Sequence, residues 1–281
     1  MDFGTITLLI FWGTLVGLVF SLVGAAGGIL ASFGLITLIG VTDPNSIKPM
    51  AQILSLATAL VFIPGYIRRK ATVIPLALML SAGGVMGAIV GSTLSSHYLS
   101  DMSTFKPLFG VLTLIIAAQI IWEIYKLRNE EKGNTSACEK GVHSVSAIGT
   151  TISFSYADKD YKVSLWTPWL AGFFIAIIAS AFGVGGGFLL VPFMVTLLRM
   201  PMFIIPATAA VVIFISGSIS VTNYLRMGAD IDWPILSFLI VGGIIGAIIG
   251  PKLNRMMQDS WLRIFLASVL SLIGLKYALG L

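Results

Sequence analysis

The sequence predicts an all-α polytopic membrane protein made of two homologous repeats, each with about five hydrophobic segments. Hydrophobic residues make up 57% of the chain and charged residues 10%, a balance outside the range of soluble domains. The apolar runs are long and do not alternate with polar residues, so they indicate helices, and about 20 such residues cross a bilayer. A glycine-rich pattern that occurs twice indicates the duplication.

The duplication is visible in the register of the glycines. Residues 24–30 read GAAGGIL and residues 183–189 read GVGGGFL, 159 positions further on. The same offset superimposes four later glycines on four others, namely Gly83, Gly84, Gly87 and Gly91 on Gly242, Gly243, Gly246 and Gly250. Two copies of one membrane unit are typical of transporters, and we expect the glycine-rich motifs to begin short or broken helices.

Ten apolar segments are predicted, five on either side of a polar stretch. They cover residues 5–23, 24–41, 47–67, 72–96, 105–126, 164–182, 186–200, 205–225, 233–251 and 262–280. We therefore divide the chain into a first transmembrane repeat (1–126), a cytoplasmic connecting loop (127–163) and a second transmembrane repeat (164–281). The loop contains a β-prone run at 150–156, which forms either a small hairpin or part of a simple tether.

The lysine and arginine residues give the orientation. The densest basic cluster, Arg68–Lys70, places its loop in the cytoplasm. Two topologies remain open, because the glycine-rich segments either re-enter the membrane or complete a crossing. Re-entrant segments give both repeats the same orientation, whereas five crossings per repeat invert the second one. We prefer inversion because it puts more basic residues inside, and it leaves three exceptions outside, Lys48, Lys106 and Arg226.

Composition and motifs argue against several classes of function. The net charge of +5 comes from loops, where it reports topology, so no nucleic-acid partner is expected. Cys138 is a single cysteine, and His97 and His143 lack the spacing of metal ligands. The sequence has no metalloprotease, serine-hydrolase or P-loop motif, so we expect no enzyme, no catalytic residue, no cofactor and no metal. No ionisable residue lies in the middle of a segment, which argues against a side-chain proton relay.

The glycine motifs are the main candidates for a substrate site. A helix that begins inside the membrane offers free backbone N–H groups and the positive end of its dipole, which attract an anion. Glycine also lets the anion approach that backbone closely. We therefore assign substrate binding to Gly27, Gly28, Gly185, Gly186 and Gly187. The alternative is close helix packing, which is the preferred explanation for the later glycines at four-residue spacing.

Neutral polar side chains within the apolar segments complete the candidate site. They are Gln52, Ser55, Thr208 and Asn223. Each can donate a hydrogen bond to an oxyanion without a change in its own charge. Gln52 and Ser55 are three residues apart and therefore share one helix face. The alternative is that the hydroxyl groups bond to their own helix backbone, as serine and threonine in membrane helices usually do.

The second motif resembles that of a known family. Residues 183–192 read GVGGGFLLVP, which is similar to the glycine-rich motif of the sulfite exporter TauE/SafE family of membrane permeases. The first motif is similar but has Ala26 in place of a glycine and Phe33 in place of the proline. Residues 224–233 resemble another family segment, and the resemblance covers nearly the whole chain except 127–163. It implies transport of small sulfur-containing anions such as sulfite or sulfonates.

The sequence thus predicts a multi-pass permease of the cell inner membrane for a small sulfur-containing oxyanion. The anion is expected between the repeats, held by helix N-termini and neutral hydrogen-bond donors. The expected partners are this anion and the lipid bilayer, and the glycine face at 83–91 would also suit a homodimer. The alternative is a non-transporting membrane scaffold or accessory subunit that acts through the 127–163 loop.

Overall fold

Helices dominate the described part of the chain. The computed structural model describes residues 2–23, 27–68, 72–130, 143–148, 151–156, 159–164, 166–198, 200, 205–253 and 259–279, and all structural statements refer to these. The first half contains α1 (Phe3–Val23), α2 (Gly27–Gly34), a π-helical segment (Leu35–Ile39), α3 (Pro44–Arg68), α4 (Ile74–Tyr98) and α5 (Met102–Glu130). The second half contains α6 (Trp166–Phe182), α7 (Gly187–Pro192), a π-helical segment (Phe193–Leu197), α8 (Ile205–Arg226), α9 (Trp233–Leu253) and α10 (Asp259–Ala278).

Several of these helices are long and apolar enough to cross a bilayer. Within the described residues they are Phe3–Leu22, Ile74–Tyr98, Met102–Trp122, Thr208–Arg226 and Trp233–Gly250. Shorter apolar helices cover Gly27–Ile39, Trp166–Phe182 and Ile264–Ala278. Each of the ten predicted segments contains a helix. The predicted class, an all-helical multi-pass membrane protein, is therefore confirmed.

The backbones of α4 and α6 touch along a face of small residues. A Cβ atom at any of three glycines of α4 would collide with a carbonyl oxygen of α6. The glycines are Gly83, Gly87 and Gly91, and the oxygens belong to Trp169, Phe173 and Ile177. Packing is thus the role of this glycine face, as preferred from the sequence. Because α6 covers the face, it does not support the homodimer for which it was considered.

The pair α1–α9 repeats these contacts at the same offset. Gly242 and Gly246 of α9 face the carbonyl oxygens of Ile10 and Thr14 of α1. The reciprocal contacts match as well, since Gly13 faces the carbonyl of Leu239 and Gly172 faces that of Leu80. In each comparison both partners are displaced by 159 positions along the chain. The packing of the two helix pairs is therefore the same at these four positions.

The order of these contacts gives the relative direction of the helices. In α1–α9 and in α4–α6 the contacting residues advance together, so both pairs are parallel. Between α5 and α10 they run in opposite senses, since Gly110 lies against Ala278 whereas Gly274 lies against Leu114. The helices α5 and α10 are therefore antiparallel, although each is the last helix of its half of the chain.

The central helices α3 and α8 are antiparallel as well. The first turn of α3 lies beside the last turn of α4, where Asn45 Nδ2 donates to the carbonyl oxygen of Ser96. By contrast, α8 runs parallel to α4. Near their starts the N–H of Val73 donates to Thr208, and near their ends Ser96 contacts Met227. The direction of α8 is therefore opposite to that of α3.

Two clusters of buried apolar side chains fill the space between the helices. One cluster joins α1, α2, α3, α5, α9 and α10 and includes Leu54 and Phe109. The other joins α1, α3, α4, α7 and α8 and includes Leu80 and Ala209. Large apolar side chains also cover the outer surface, for example Leu272, which is 69% exposed. Such exposure suits a surface that contacts lipid chains rather than water.

The segment between α5 and α6 contains three short strands. They are β1 (His143–Ile148), β2 (Thr151–Tyr156) and β3 (Lys159–Ser164), which pair antiparallel in the order β1-β2-β3. The β-prone run at 150–156 supplies β2. The helices bound this segment at Glu130 and Trp166, against the predicted loop limits of 127 and 163. The all-helical description therefore applies to the membrane part of the chain.

We predict that Gly87→Ala destabilises the protein, because the added Cβ would collide with the carbonyl oxygen of Phe173. Overpacking of this kind costs about 1–3 kcal/mol. Gly84→Ala is the matched control on the same helix, since its Cβ would lie 3.3 Å from the Cβ of Ser216. The measurement is the midpoint of thermal unfolding in one detergent. Equal midpoints for the two variants would contradict the described packing.

Candidate functional site

The chain between α6 and α7 is a sharp break in the backbone. Gly183, Gly185 and Gly186 have φ angles of 72°, 78° and 68°, in the left-handed region that glycine enters without strain. The N–H of Gly187 donates to the carbonyl oxygen of Gly185 at 2.8 Å. This hydrogen bond engages the first amide of α7, and the amides of Leu189 and Leu190 donate to the carbonyl oxygen of Gly186 at 3.2 and 3.1 Å. In this first turn, the amide without such a bond among the described residues is that of Phe188, which directly follows Gly187.

The first glycine motif lies against this break. Residues 24–26 are outside the described part of the chain, but Gly27 and Gly28 begin α2 and are buried. A Cβ atom at Gly28 would lie 2.5 Å from the carbonyl oxygen of Val184, and one at Gly27 would lie 2.6 Å from the Cβ of Phe20. The structure thus brings the two predicted motifs together. It also shows that close packing requires both of these glycines.

Side chains from three other helices bind the carbonyl groups at the end of α6. Gln52 Nε2 donates to the carbonyl oxygen of Ala179 at 3.5 Å. Tyr224 Oη donates to that of Ser180 at 3.0 Å, and Ser95 Oγ donates to that of Ala181 at 2.6 Å. The last carbonyls of a helix have no donor within the helix, so a buried end needs such partners. This arrangement lets α6 end inside the protein, directly before the break.

Gln52 and Ser55, both predicted as donors to an anion, lie on α3 beside the break. A Cβ atom at Gly185 would lie 3.7 Å from Ser55 Oγ, whose proton is donated to the carbonyl oxygen of Ala51 at 2.9 Å. Gln52 Oε1 is buried and has no hydrogen-bond partner among the described residues. The carbonyl oxygen of Ala179 can only accept a hydrogen bond, so the side chain of Gln52 points its NH₂ group toward Ala179. Gln52 Oε1 then points away and has no partner in the described part of the chain. The side chains therefore offer an acceptor, where the sequence predicted donors.

Thr208 and Asn223, the other predicted donors, contact α4. Thr208 Oγ1 accepts from the N–H of Val73 at 3.2 Å, and Asn223 Nδ2 donates to Ser92 Oγ at 2.7 Å. Both lie on α8, fifteen residues apart, which corresponds to about 22 Å along the helix axis. One small anion cannot contact both of them. The predicted set of site residues therefore does not form a single site.

A fully buried lysine, Lys48, packs on the break and was not among the predicted site residues. A Cβ atom at Gly183 would lie 2.6 Å from its Cα. Its Nζ donates to the carbonyl oxygens of Leu99 at 2.8 Å and Ser95 at 3.3 Å, and lies 5.2 Å from the ring of Phe105. These carbonyls end α4, where the helix dipole favours a cation. The sequence contained one sign of this role: Lys48 is a basic residue that the preferred topology places on the outer side of the membrane.

The fold and the break define a class of protein. Helices that cross the membrane surround a place where the second glycine motif interrupts the helical backbone and the start of α2 packs against it, and such interruptions are typical of membrane transporters. Within the described residues, no group of three or more histidine, cysteine or acidic side chains is placed to hold a metal ion. The molecule is thus a polytopic membrane transporter by architecture.

The chain belongs to the sulfite exporter TauE/SafE family, whose sequence profile matches residues 9–277. It is 26% identical over 273 residues to "Probable membrane transporter protein YunE" of Bacillus subtilis (strain 168), which covers 95% of both chains. Two proteins of Xylella fastidiosa named "Probable membrane transporter protein", from strains 9a5c and Temecula1 / ATCC 700964, are each 27% identical and match 88% of this chain and 84% of their own. No solved structure is significantly similar. The predicted family is confirmed, and its members are membrane transporters and not enzymes.

We predict that Lys48→Met lowers the free energy of unfolding by about 2 kcal/mol, because a buried acceptor left without its donor costs about 1–3 kcal/mol. The carbonyl oxygens of Ser95 and Leu99 would lose their donor. Arg226→Met is the control, since Arg226 is exposed and such substitutions usually change stability by less than about 0.5 kcal/mol. Thermal unfolding of both variants is compared. If Lys48→Met unfolds at the same temperature as Arg226→Met, Lys48 does not hold the end of α4.

Proposed function

We propose that this chain is a permease for a small sulfur-containing oxyanion such as sulfite or a sulfonate. The observation that carries the proposal is the contact between Gly28 and Val184, which joins the two glycine motifs at the buried end of α6. The anion binds there to the backbone amides that follow Gly28 and Gly187. Helix starts bind anions through these amides and through the helix dipole. The family description, sulfite exporter, supports this class of substrate.

The proposed site is neutral and consists mainly of backbone. We keep seven of the predicted residues, Gly27, Gly28, Gly185, Gly186, Gly187, Gln52 and Ser55. We leave out Thr208 and Asn223, because their hydrogen bonds join α8 to α4. An anion held by dipoles has no ion pair to break when it leaves. Such a site suits a protein that must release its substrate on the other side of the membrane.

The unpaired oxygen of Gln52 favours an anion that carries a proton. A buried acceptor without a partner costs about 1–3 kcal/mol, so its retention suits binding better than stability. An ionised oxygen of the substrate would repel this acceptor, whereas a hydroxyl would donate to it. Hydrogensulfite has such a hydroxyl and sulfate has none. The proposed order of preference is therefore hydrogensulfite before sulfate or a sulfonate, neither of which carries such a proton at neutral pH.

We also propose that the two repeats are inverted in the cell inner membrane, with the chain divided at 1–126, 127–163 and 164–281. The antiparallel direction of α5 and α10, and that of α3 and α8, support the inversion. Corresponding helices of two repeats run in opposite senses when one repeat is inverted. The basic cluster Arg68–Lys70 orients the whole bundle, with its loop in the cytoplasm.

The alternative is a non-transporting scaffold or accessory subunit that acts through residues 127–163. The strands β1, β2 and β3 of this segment form a small sheet on which a partner could dock. We favour the permease, because the family and the relatives are membrane transporters.

We predict that Gly185→Ala lowers sulfite flux at least about tenfold, because the added methyl group would occupy the space beside Ser55 in which the anion is proposed to bind, and misplacement of a bound group has effects of this size. Gly40→Ala is the matched control. The φ angles are 78° and 79°, so alanine strains both positions equally, by about 1 kcal/mol. A Cβ at Gly185 faces Ser55 Oγ at 3.7 Å, whereas one at Gly40 meets nothing within 4 Å. The measurement is the initial rate of uptake into proteoliposomes with equal protein content. Equal rates for the two variants would contradict a site at the break.

We predict that residue 2 and residue 138 lie on opposite sides of the membrane. Five crossings per repeat place them on opposite sides, whereas re-entrant segments place them on the same side. Cys138 is the only cysteine in the sequence and serves as one reporter, and Asp2→Cys in a Cys138→Ser background is the other. In intact cells a membrane-impermeant maleimide should label Asp2→Cys and spare Cys138. Labelling of both in intact cells, or of neither when lysed cells label fully, overturns the inverted topology.

A further inference from the structure

A cavity lies apart from the break, between the π-helical segment Leu35–Ile39, the start of α5 and the end of α10. Its volume is about 360 Å³. The polar side chains in its wall are Thr37, Ser103, Lys106, Lys276 and Tyr277. Two cations, three hydroxyl groups and the N-terminus of a long helix therefore meet in one cavity. All of these groups favour or tolerate an anion.

The described residues do not balance the charge in this cavity. No carboxylate is among the described residues of its wall, and neither lysine forms an ion pair within the described part of the chain. Lys276 Nζ lies 6.0 Å from the ring of Phe33, which holds an ammonium group without neutralising it. Two like charges in one cavity repel each other unless an anion lies between them.

The hydroxyl groups are arranged to donate as well. Thr37 Oγ1 and Tyr277 Oη form a hydrogen bond of 2.5 Å, in which either oxygen can be the donor. Whichever group donates in this pair, the other keeps its own proton for a ligand. Tyr277 is 5% exposed, so its ring is fixed by packing while its hydroxyl reaches the cavity wall. The hydroxyl pair thus adds a directed donor to the two ammonium groups.

We propose that this cavity is a second oxyanion site, which binds a phosphate- or sulfonate-type group. It is separate from the break, because Thr37 lies ten residues beyond Gly27, about 15 Å along the helix. The proposal also explains why Lys106 lies on the outer side of the membrane in the preferred topology, where the positive-inside rule does not expect a lysine. The proposal concerns only this cavity and stands independently of the substrate assigned to the break.

The group bound here has two chemical sources. The helices that form the cavity expose large apolar side chains next to it, including Leu108, Leu272 and Leu279. Such a rim faces lipid chains and would admit the headgroup of an anionic phospholipid, as basic pockets between membrane helices do. A free oxyanion that enters from the aqueous side has the same chemistry.

The test compares Lys106→Gln and Lys276→Gln with Lys126→Gln as the matched control. Lys126 lies on the same helix as Lys106, more than five turns away, and loses the same charge. Size-exclusion profiles first establish that the variants fold like the wild type. In the lipid arm, native mass spectrometry measures retention of phosphatidylglycerol by protein taken from mixed phosphatidylglycerol–phosphatidylcholine nanodiscs. In the soluble arm, millimolar sulfate is tested for protection of Lys106 and Lys276 from an amine-reactive reagent in phosphatidylcholine nanodiscs.

We expect each cavity variant, but not Lys126→Gln, to bind phosphatidylglycerol about fivefold more weakly than the wild type. That result supports the site and identifies a lipid headgroup. Protection of both lysines by sulfate, with unchanged lipid retention in the variants, supports the site and identifies a free anion. Equal lipid retention by all four proteins together with no protection by sulfate overturns the proposal.

Discussion

Direct contact between helix backbones is the constraint on which the rest of this structure depends. In the pair α4–α6, Gly87 lies against the carbonyl oxygen of Phe173, and in the pair α1–α9, Gly246 lies against that of Thr14. Neither contact leaves room for a side chain at the glycine. In a bilayer, helix association relies on such close packing, because burial of apolar groups gains little from lipid. These two pairs hold α3 and α8 between them. The position of the glycine break follows from that arrangement.

The site depends on how the protein supplies hydrogen-bond donors to the last carbonyl groups of α6, a helix that ends inside the protein. Gln52, Tyr224 and Ser95 bind the last carbonyls of α6, and Lys48 does the same for α4. Much of the buried polarity therefore stabilises helix ends and is not free for substrate. At the break, the glycine backbone and the amide oxygen of Gln52 remain among the described groups. A small anion is the ligand that such a backbone binds best, and the oxygen adds a preference for a protonated one.

The sequence predicted what depends on periodicity and repetition. The segments, the glycine face at 83–91 and the meeting of the two motifs follow from residue spacing alone. It did not predict the role of Lys48, because that role depends on the end of α4, about fifty residues away. The sequence analysis also assigned Thr208 and Asn223 to the same site. A polar residue within an apolar run does not show which neighbouring helix its side chain faces. Their separation along α8 follows from simple helix geometry and was available from the start.

Anion flux in proteoliposomes is the most direct test of the central claim. The purified protein is supplied with sulfite, thiosulfate, a small sulfonate, sulfate or chloride, with and without a pH gradient. The account predicts saturable flux of sulfite that exceeds that of sulfate and rises as the pH on the side of addition falls, because the protonated anion becomes more abundant. Absence of flux for every sulfur anion, from protein shown to be folded, would contradict it.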